Sequence, residues 1–162
     1  MPTAQRVQRL VQSVDFERVL GAPQKARSPH FALHFVAASP FRRPARQPAA
    51  GKAAPAELST EVAAPAPPPV DDSSAAVPQQ RWLGLVVPKR HARRAVTRTL
   101  LKRQIRAAID RQASALPPGL WVVRLRAPFD VRQFRSAASD ALRDAARAEL
   151  DRMIRVAASA PR

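Results

Sequence analysis

Cysteine is absent from this 162-residue chain. Without thiols there is no disulfide framework, and any metal site would have to be built from His, Asp or Glu. That usage fits a reducing cytosol, so a cytoplasmic location is expected. Glycine is also scarce, at four residues, which leaves little room for the Gly-rich loops that cradle nucleotide phosphates. No apolar run approaches the ~18–20 residues that a membrane span needs. The first ten residues are basic but lack the apolar stretch of a secretory signal. Their Arg content leaves a transit peptide open on composition alone. Acidic residues are the remaining shortage: 12, against 28 Lys and Arg, for a formal net charge of +16. Such an excess favours polyanionic partners, with nucleic acid first and an anionic membrane surface second.

The charge is unevenly placed. Residues 1–37 carry five basic and two acidic residues, 38–80 four of each, and 81–162 19 basic and six acidic. The partner-binding charge therefore sits in the C-terminal half. The middle stretch also differs in kind, with 12 Ala and nine Pro in the 43 residues from Ala38 to Gln80, including Pro67, Pro68 and Pro69. Proline denies it regular helix or sheet, and it has too little large apolar surface to offset the entropy of ordering. We read 38–80 as a disordered Pro/Ala-rich insertion in a single domain made of 1–37 and 81–157, with 158–162 as a tail.

On either side of the insertion the patterns are regular. Asp15–Leu20 reads as a short helix with Ser13 as N-cap. His30–Ala37 alternates, with Phe31, Leu33 and Phe35 on one side and His30, Ala32 and His34 on the other, as in a half-buried strand. Trp82–Val87 is nearly continuously apolar, as in a strand covered on both faces. A basic helix is expected from about Arg93 to Gln112, a turn at Pro117-Pro118-Gly119 and a strand at Leu120–Leu125. A helix over Ser136–Ala157 follows, with the stripe Leu142, Ala146, Leu150, Met153 and Ala157. Strand 82–87, helix 93–112 and strand 120–125 form a βαβ unit with parallel neighbours. The fold class is α+β, a small domain with a mixed sheet, a helix before the sheet and one after it.

The informative segment runs from Pro88 to Arg106. Eight of its 19 residues are Lys or Arg, six of them Arg, and no carboxylate appears until Asp110. At 100° per residue, Leu101, Ile105 and Ala108 share one face, with Ile109 at its edge. Thr99, Lys102, Arg103 and Arg106 lie on an adjoining face, with Arg98 at the boundary. The apolar face can dock on a sheet while the basic face points outward. Arg offers phosphate a planar fork, and side chains at i and i+4 stand ~5–6 Å apart, comparable to phosphate spacing along a strand. An ordinary solvated face intersperses both signs. Leu100 falls off the stripe.

These residues resemble a known family. Gly84-Leu85-Val86-Val87-Pro88-Lys89-Arg90, then Ala95-Val96-Thr97-Arg98, then Lys102-Arg103-Gln104-Ile105-Arg106 are similar to the signature of the bacterial ribonuclease P protein, in which a strand G-L-x-V-x-K-[KR] runs into a helix R-N-x-x-K-R-x-x-R. Asp15-Phe16-Glu17-Arg18-Val19 before Phe31-Ala32-Leu33 resembles the family's first helix and strand, and Leu120-Trp121-Val122-Val123 its closing strand. The resemblance covers about 15–37 and 81–157. Thr99 stands where the family usually has Asn, and Leu100 where it often has Arg. Leu20 and His34 stand where aromatics are commoner.

The resemblance implies a subunit that assembles with the ribonuclease P catalytic RNA and assists removal of the 5′ leader from precursor tRNA. It implies that Mg²⁺ is held mainly by the RNA, with none bound by the protein alone, and that the crossover of the βαβ unit is left-handed. By residue, it implies RNA binding at Lys89, Arg90, Arg98, Lys102, Arg103 and Arg106, and a leader-binding cleft at Phe16, Leu20 and His34; Arg94, in the same basic run, is also expected to bind RNA. Phe16 also reads, from its residues alone, as an ordinary core position. No small-molecule substrate and no membrane partner are expected. The other reading is a general RNA-binding accessory protein, ribosome-associated, with no role in tRNA processing. Catalysis by the chain itself is disfavoured. The parts outside the insertion hold eight acidic residues, four on the last helix at ion-pair spacing to Arg, and His30, His34 and His91 lack ligand spacing.

Overall fold

A computed structural model describes residues 6–42 and 78–160. In chain order its elements are β1 (Gln8–Arg9), α1 (Ser13–Leu20), β2 (Gln24–Arg27), β3 (Phe31–Val36), β4 (Arg81–Val86), α2 (Ala95–Arg111), β5 (Gly119–Leu125) and α3 (Asp140–Ser159), with one 3-10 turn at Ala113–Ala115. The class is α+β, as the sequence indicates. The strands form one mixed sheet in the order β1-β4-β5-β3-β2. β1 runs parallel to β4 and β4 to β5, while β5–β3 and β3–β2 are antiparallel. The expected parallel βαβ unit is therefore β4-α2-β5.

Alternation along the strands gives the sheet two apolar faces. Phe31, Leu33, Leu83, Trp121, Val123 and Leu125 form one cluster with Leu101, Ile105 and Ile109 of α2 and Leu142, Leu150 and Ile154 of α3. The five positions expected to form the α3 stripe are all buried. On the opposite face Val36, Trp82, Val86, Leu120 and Val122 pack with Phe16, Val19 and Leu20 of α1. Each fully buried Leu, Ile or Val contributes ~1.5–3 kcal/mol relative to exposure, so both helical layers are strongly held.

That second layer corrects the reading of β3 as half-buried. Ala32 and His34 are 2% and 5% exposed, because α1 lies over the face expected to meet water. Both Trp residues pack. Trp121 is buried against Phe35, ring centroids 4.3 Å apart, and its indole N–H donates to the Pro117 carbonyl at 3.0 Å. Gly119, with φ 144°, sits where a side chain would meet Phe35 and the Val36 carbonyl at 2.7 Å.

Helix boundaries differ for local reasons. Ser13 is the first helical residue of α1 rather than its cap, and Gln12 holds the cap position without a side-chain bond. α3 begins at Asp140 rather than 136, because the Ser139 hydroxyl accepts the Leu142 N–H at 3.2 Å, an N-cap that fixes the start. It continues through Ser159, so the expected tail at 158–162 opens inside the helix. Glu149 ties α3 to the sheet: one carboxylate oxygen accepts from the Ser28 hydroxyl at 2.6 Å and the His30 N–H at 2.7 Å, and the other meets the His30 ring at 2.7 Å.

Most of the expected insertion, residues 43–77, lies outside the described residues. The residues described at its two ends make contacts with the flanking chain. The Ala38 N–H donates to the Val36 carbonyl at 2.9 Å. The Phe41 N–H donates to the buried Asp15 carboxylate at 2.9 and 3.2 Å, and Pro78 is buried.

Candidate nucleic-acid interface

α2 divides its side chains as its sequence spacing requires. Leu101, Ile105, Ala108 and Ile109 are buried, and Thr99, Lys102, Arg103 and Arg106 are exposed on the neighbouring face. Leu100, which lies off the stripe, is half-buried and packs against the main core. The exposed face is one wall of a groove of about 380 Å³. Arg9, Leu10 and Val11 line its other side, beside the β1 edge. Leu83 and Leu85 of β4 and Phe16 of α1 complete it. A basic wall, apolar β4 side chains and an aromatic ring are the components with which proteins hold a single nucleic-acid strand.

Phe16 reaches this groove because β4 carries Gly84 beneath it. A Cβ at 84 would overlap the ring. Phe16, Leu20 and His34 all lie on the α1 side of the sheet, where His34 is in register with Val122, and Val122 with Gly84. They differ in access. Phe16 and Leu20 are half-buried, whereas His34 is buried with its Nδ1 3.2 Å from the Ala22 carbonyl. His34 thus presents no open ring face at the groove.

The loop before α2 carries Lys89, Arg90 and Arg94, all exposed. It is a turn, with the Pro88 carbonyl accepting from the N–H groups of His91 and Ala92. Arg98 is half-buried and holds that loop: its Nη1 donates to the carbonyls of Ala92 at 3.0 Å and Arg93 at 2.7 Å. The Arg90 Nε donates to His91 Nε2 at 3.1 Å. His91 is held below its usual pKa, first by desolvation and then by the positive charges of Arg90 and Arg124.

Signs of charge are segregated. Among the described residues, none of Lys89, Arg90, Arg94, Arg98, Lys102, Arg103 and Arg106 has a carboxylate partner. Carboxylates of α3 make the ion pairs His30–Glu149, Arg111–Asp151, Arg143–Asp140 and Arg147–Asp151. Carboxylates and histidines do not gather in threes among the described residues, and no helix of the described residues is long and apolar enough to cross a membrane.

Sequence reasoning missed Arg9 and a second concavity. The latter, about 440 Å³, lies between the 90–97 segment and the loop joining β5 to α3, where Phe129, Phe134 and Arg135 line it. The run Phe129-Asp130-Val131-Arg132-Gln133-Phe134-Arg135 sets two aromatics close to two arginines, a signal that could have found it.

Comparison with known proteins bears on this geometry. A family model described as Ribonuclease P matches residues 4–149. Two curated proteins, each called ribonuclease P protein component, from Bordetella parapertussis and Bordetella bronchiseptica, are each 45% identical over 83 residues. That match covers 51% of this chain, and the chain spans 60% of the length of each relative.

Proposed function

Because the chain belongs to the ribonuclease P protein family, we propose that it is the protein subunit of a ribonucleoprotein that removes the 5′ leader of precursor tRNA. Its partner is the ribonuclease P catalytic RNA, and its place of work is the cytoplasm. The observation that carries this reading is the basic face of α2, whose Lys102, Arg103 and Arg106 have no carboxylate partner among the described residues, set as one wall of a groove that Phe16 completes.

The division of labour follows from the side chains. Lys102, Arg103 and Arg106 on the rigid helix, with Lys89, Arg90 and Arg94 on the loop before it, meet RNA phosphates through charge-assisted hydrogen bonds. Arg98 serves the same surface by holding the loop carbonyls, which fixes where the loop arginines stand. The leader lies on the α1 side of the sheet. Phe16 offers it an aromatic contact, and Leu20 and His34 back that contact from within the second core. The chain supplies positioning and charge. Mg²⁺ chemistry belongs to the RNA partner, with no ion held by the protein alone. The family's left-handed crossover is carried over for β4-α2-β5 on membership alone.

Reconstitution tests this reading. The full chain is mixed with a ribonuclease P RNA and precursor tRNA at low Mg²⁺, and release of the mature 5′ end is followed. Stimulated cleavage is expected. RNA binding without stimulation would favour a ribosome-associated accessory protein instead.

A further inference from the structure

The cavity of about 440 Å³ beside the N-terminal end of α2 is separate from the groove that Phe16 lines, and the two share no lining residue. Its rim is cationic: Arg90, Arg93 and Arg94 stand on one side and Arg135 on the other. Its interior is largely apolar, built around Leu101, Phe129, Phe134 and Leu142, with His91 and Thr97 also on the lining. Phe134 is half-exposed and stands edge-on to Phe129, ring centroids 5.7 Å apart. Among the described residues no carboxylate pairs with any of the four arginines. Asp130, the nearest acidic residue in the sequence of the far wall, has an Oδ1 that accepts the Arg132 N–H at 2.8 Å.

Both walls are fixed from the same helix. Arg98 holds the carbonyls of Ala92 and Arg93 on the near wall, and the Thr97 hydroxyl donates to the Ala137 carbonyl of the far wall at 2.7 Å. The cavity is thereby pre-formed, and its volume falls within the ~300–1,000 Å³ of small-molecule sites. An apolar interior under a guanidinium rim matches an unstacked nucleotide, whose base has an apolar π-face and whose phosphodiester needs planar donors.

We propose that this cavity is a single-nucleotide pocket, which takes one extruded base of the RNA partner into contact with Phe134 while Arg90, Arg94 and Arg135 hold its flanking phosphates. The proposal rests on the reading of the chain as an RNA-binding subunit and gives that subunit a base-dependent anchor besides the phosphate-binding face of α2.

The test titrates the full chain with adenosine 3′,5′-bisphosphate and with the abasic ribose bisphosphate of equal charge, following backbone amide NMR shifts. The nucleotide should perturb 90–97 and 131–137 and bind about tenfold more tightly than the abasic compound, as base–aromatic contact implies. Phe134→Ala should abolish that preference. Arg135→Gln, on an exposed side chain that the fold does not use, should weaken both ligands. Equal affinity for the two ligands, or shifts confined to 99–106, overturns the pocket. So does a glutamate-rich peptide binding as tightly as the nucleotide, which would make the cavity a site for acidic protein. Leader cleavage is scored separately. A chain that stimulates the catalytic RNA yet shows no base preference loses the pocket alone, and a chain that prefers the nucleotide without stimulating cleavage loses the functional reading alone.

Discussion

The Phe16 ring rests against Gly84 so closely that a Cβ there would lie 2.8 Å from ring carbon Cζ and 3.1 Å from Val122 Cγ2. The only side chain that fits beneath the aromatic of the groove is a hydrogen atom. Gly84→Ala should therefore expel the ring or displace Val122, at ~1–3 kcal/mol for overpacking, read as a lower thermal midpoint. Phe16→Ala in the same chain should recover part of that loss, since the two sites share one contact. If Gly84→Ala keeps wild-type stability and Phe16 keeps its place, the packing account fails.

Arg103 and Arg106 are exposed, lie on one face of α2 and have no carboxylate partner among the described residues. Nothing in the fold depends on them, so Arg103→Ala with Arg106→Ala should leave the thermal midpoint within the ~0.5 kcal/mol typical of surface changes. RNA affinity should fall at every salt concentration, and each lost phosphate contact should lower the slope of log affinity against log salt by about 1. Filter binding at several KCl concentrations measures both quantities. An unchanged slope would remove these residues from the interface.

The sheet and helices were legible where the apolar pattern is strong and illegible where it is weak. β4, α2, β5 and the α3 stripe could be read from their spacing, because each buries a face against the main core. β1 is two residues, Gln8 and Arg9, both exposed, and β2 is Gln24-Lys25-Ala26-Arg27. Both are edge strands held by backbone pairing, and edge strands carry polar and charged side chains, so no hydrophobic period announces them. The second apolar layer was also hidden. Val19, Leu120 and Val122 give no sign that they meet, and only their meeting shows why His34 is buried. At the site, the basic face of α2 followed from helical geometry. The bracing role of Arg98 did not, because a loop carbonyl six residues away leaves no trace in composition.

His91 supplies a pH dependence with a defined sign. Desolvation, then Arg90 and Arg124, lower its pKa below 6.5 in the folded chain. In the window from 6.5 downward the unfolded chain binds the proton more readily, so acidification draws stability away through this residue. RNA reverses the local field. On the proposed reading, phosphates stand beside Arg90 and Arg94 and favour the imidazolium, and binding should take up a proton at His91. Affinity for RNA should accordingly rise between pH 7.5 and 5.5 more in the wild type than in His91→Asn, at constant ionic strength. Parallel pH profiles for the two chains would place His91 away from bound phosphate.

Asp15 sets the limits within which the Pro/Ala-rich stretch can be removed. Its carboxylate is 1% exposed and accepts the Phe41 N–H, so Phe41 belongs to the ordered domain although it lies inside a compositionally biased segment. Residues 43–77 carry three basic and four acidic residues, and deleting them across a short Gly/Ser linker barely changes the field that RNA meets. That deletion should leave thermal unfolding and RNA affinity close to wild type. Deleting 40–78 also removes the Phe41 donor, leaving a buried carboxylate without that partner, and it strips away buried Pro78. The extra loss should be ~1–3 kcal/mol, the cost of an unsatisfied buried acceptor. Asp15→Asn should recover part of it by removing the buried charge. Equal unfolding midpoints for the two deletions would show that the Asp15–Phe41 contact holds nothing, and a large loss from 43–77 alone would make that segment part of the fold.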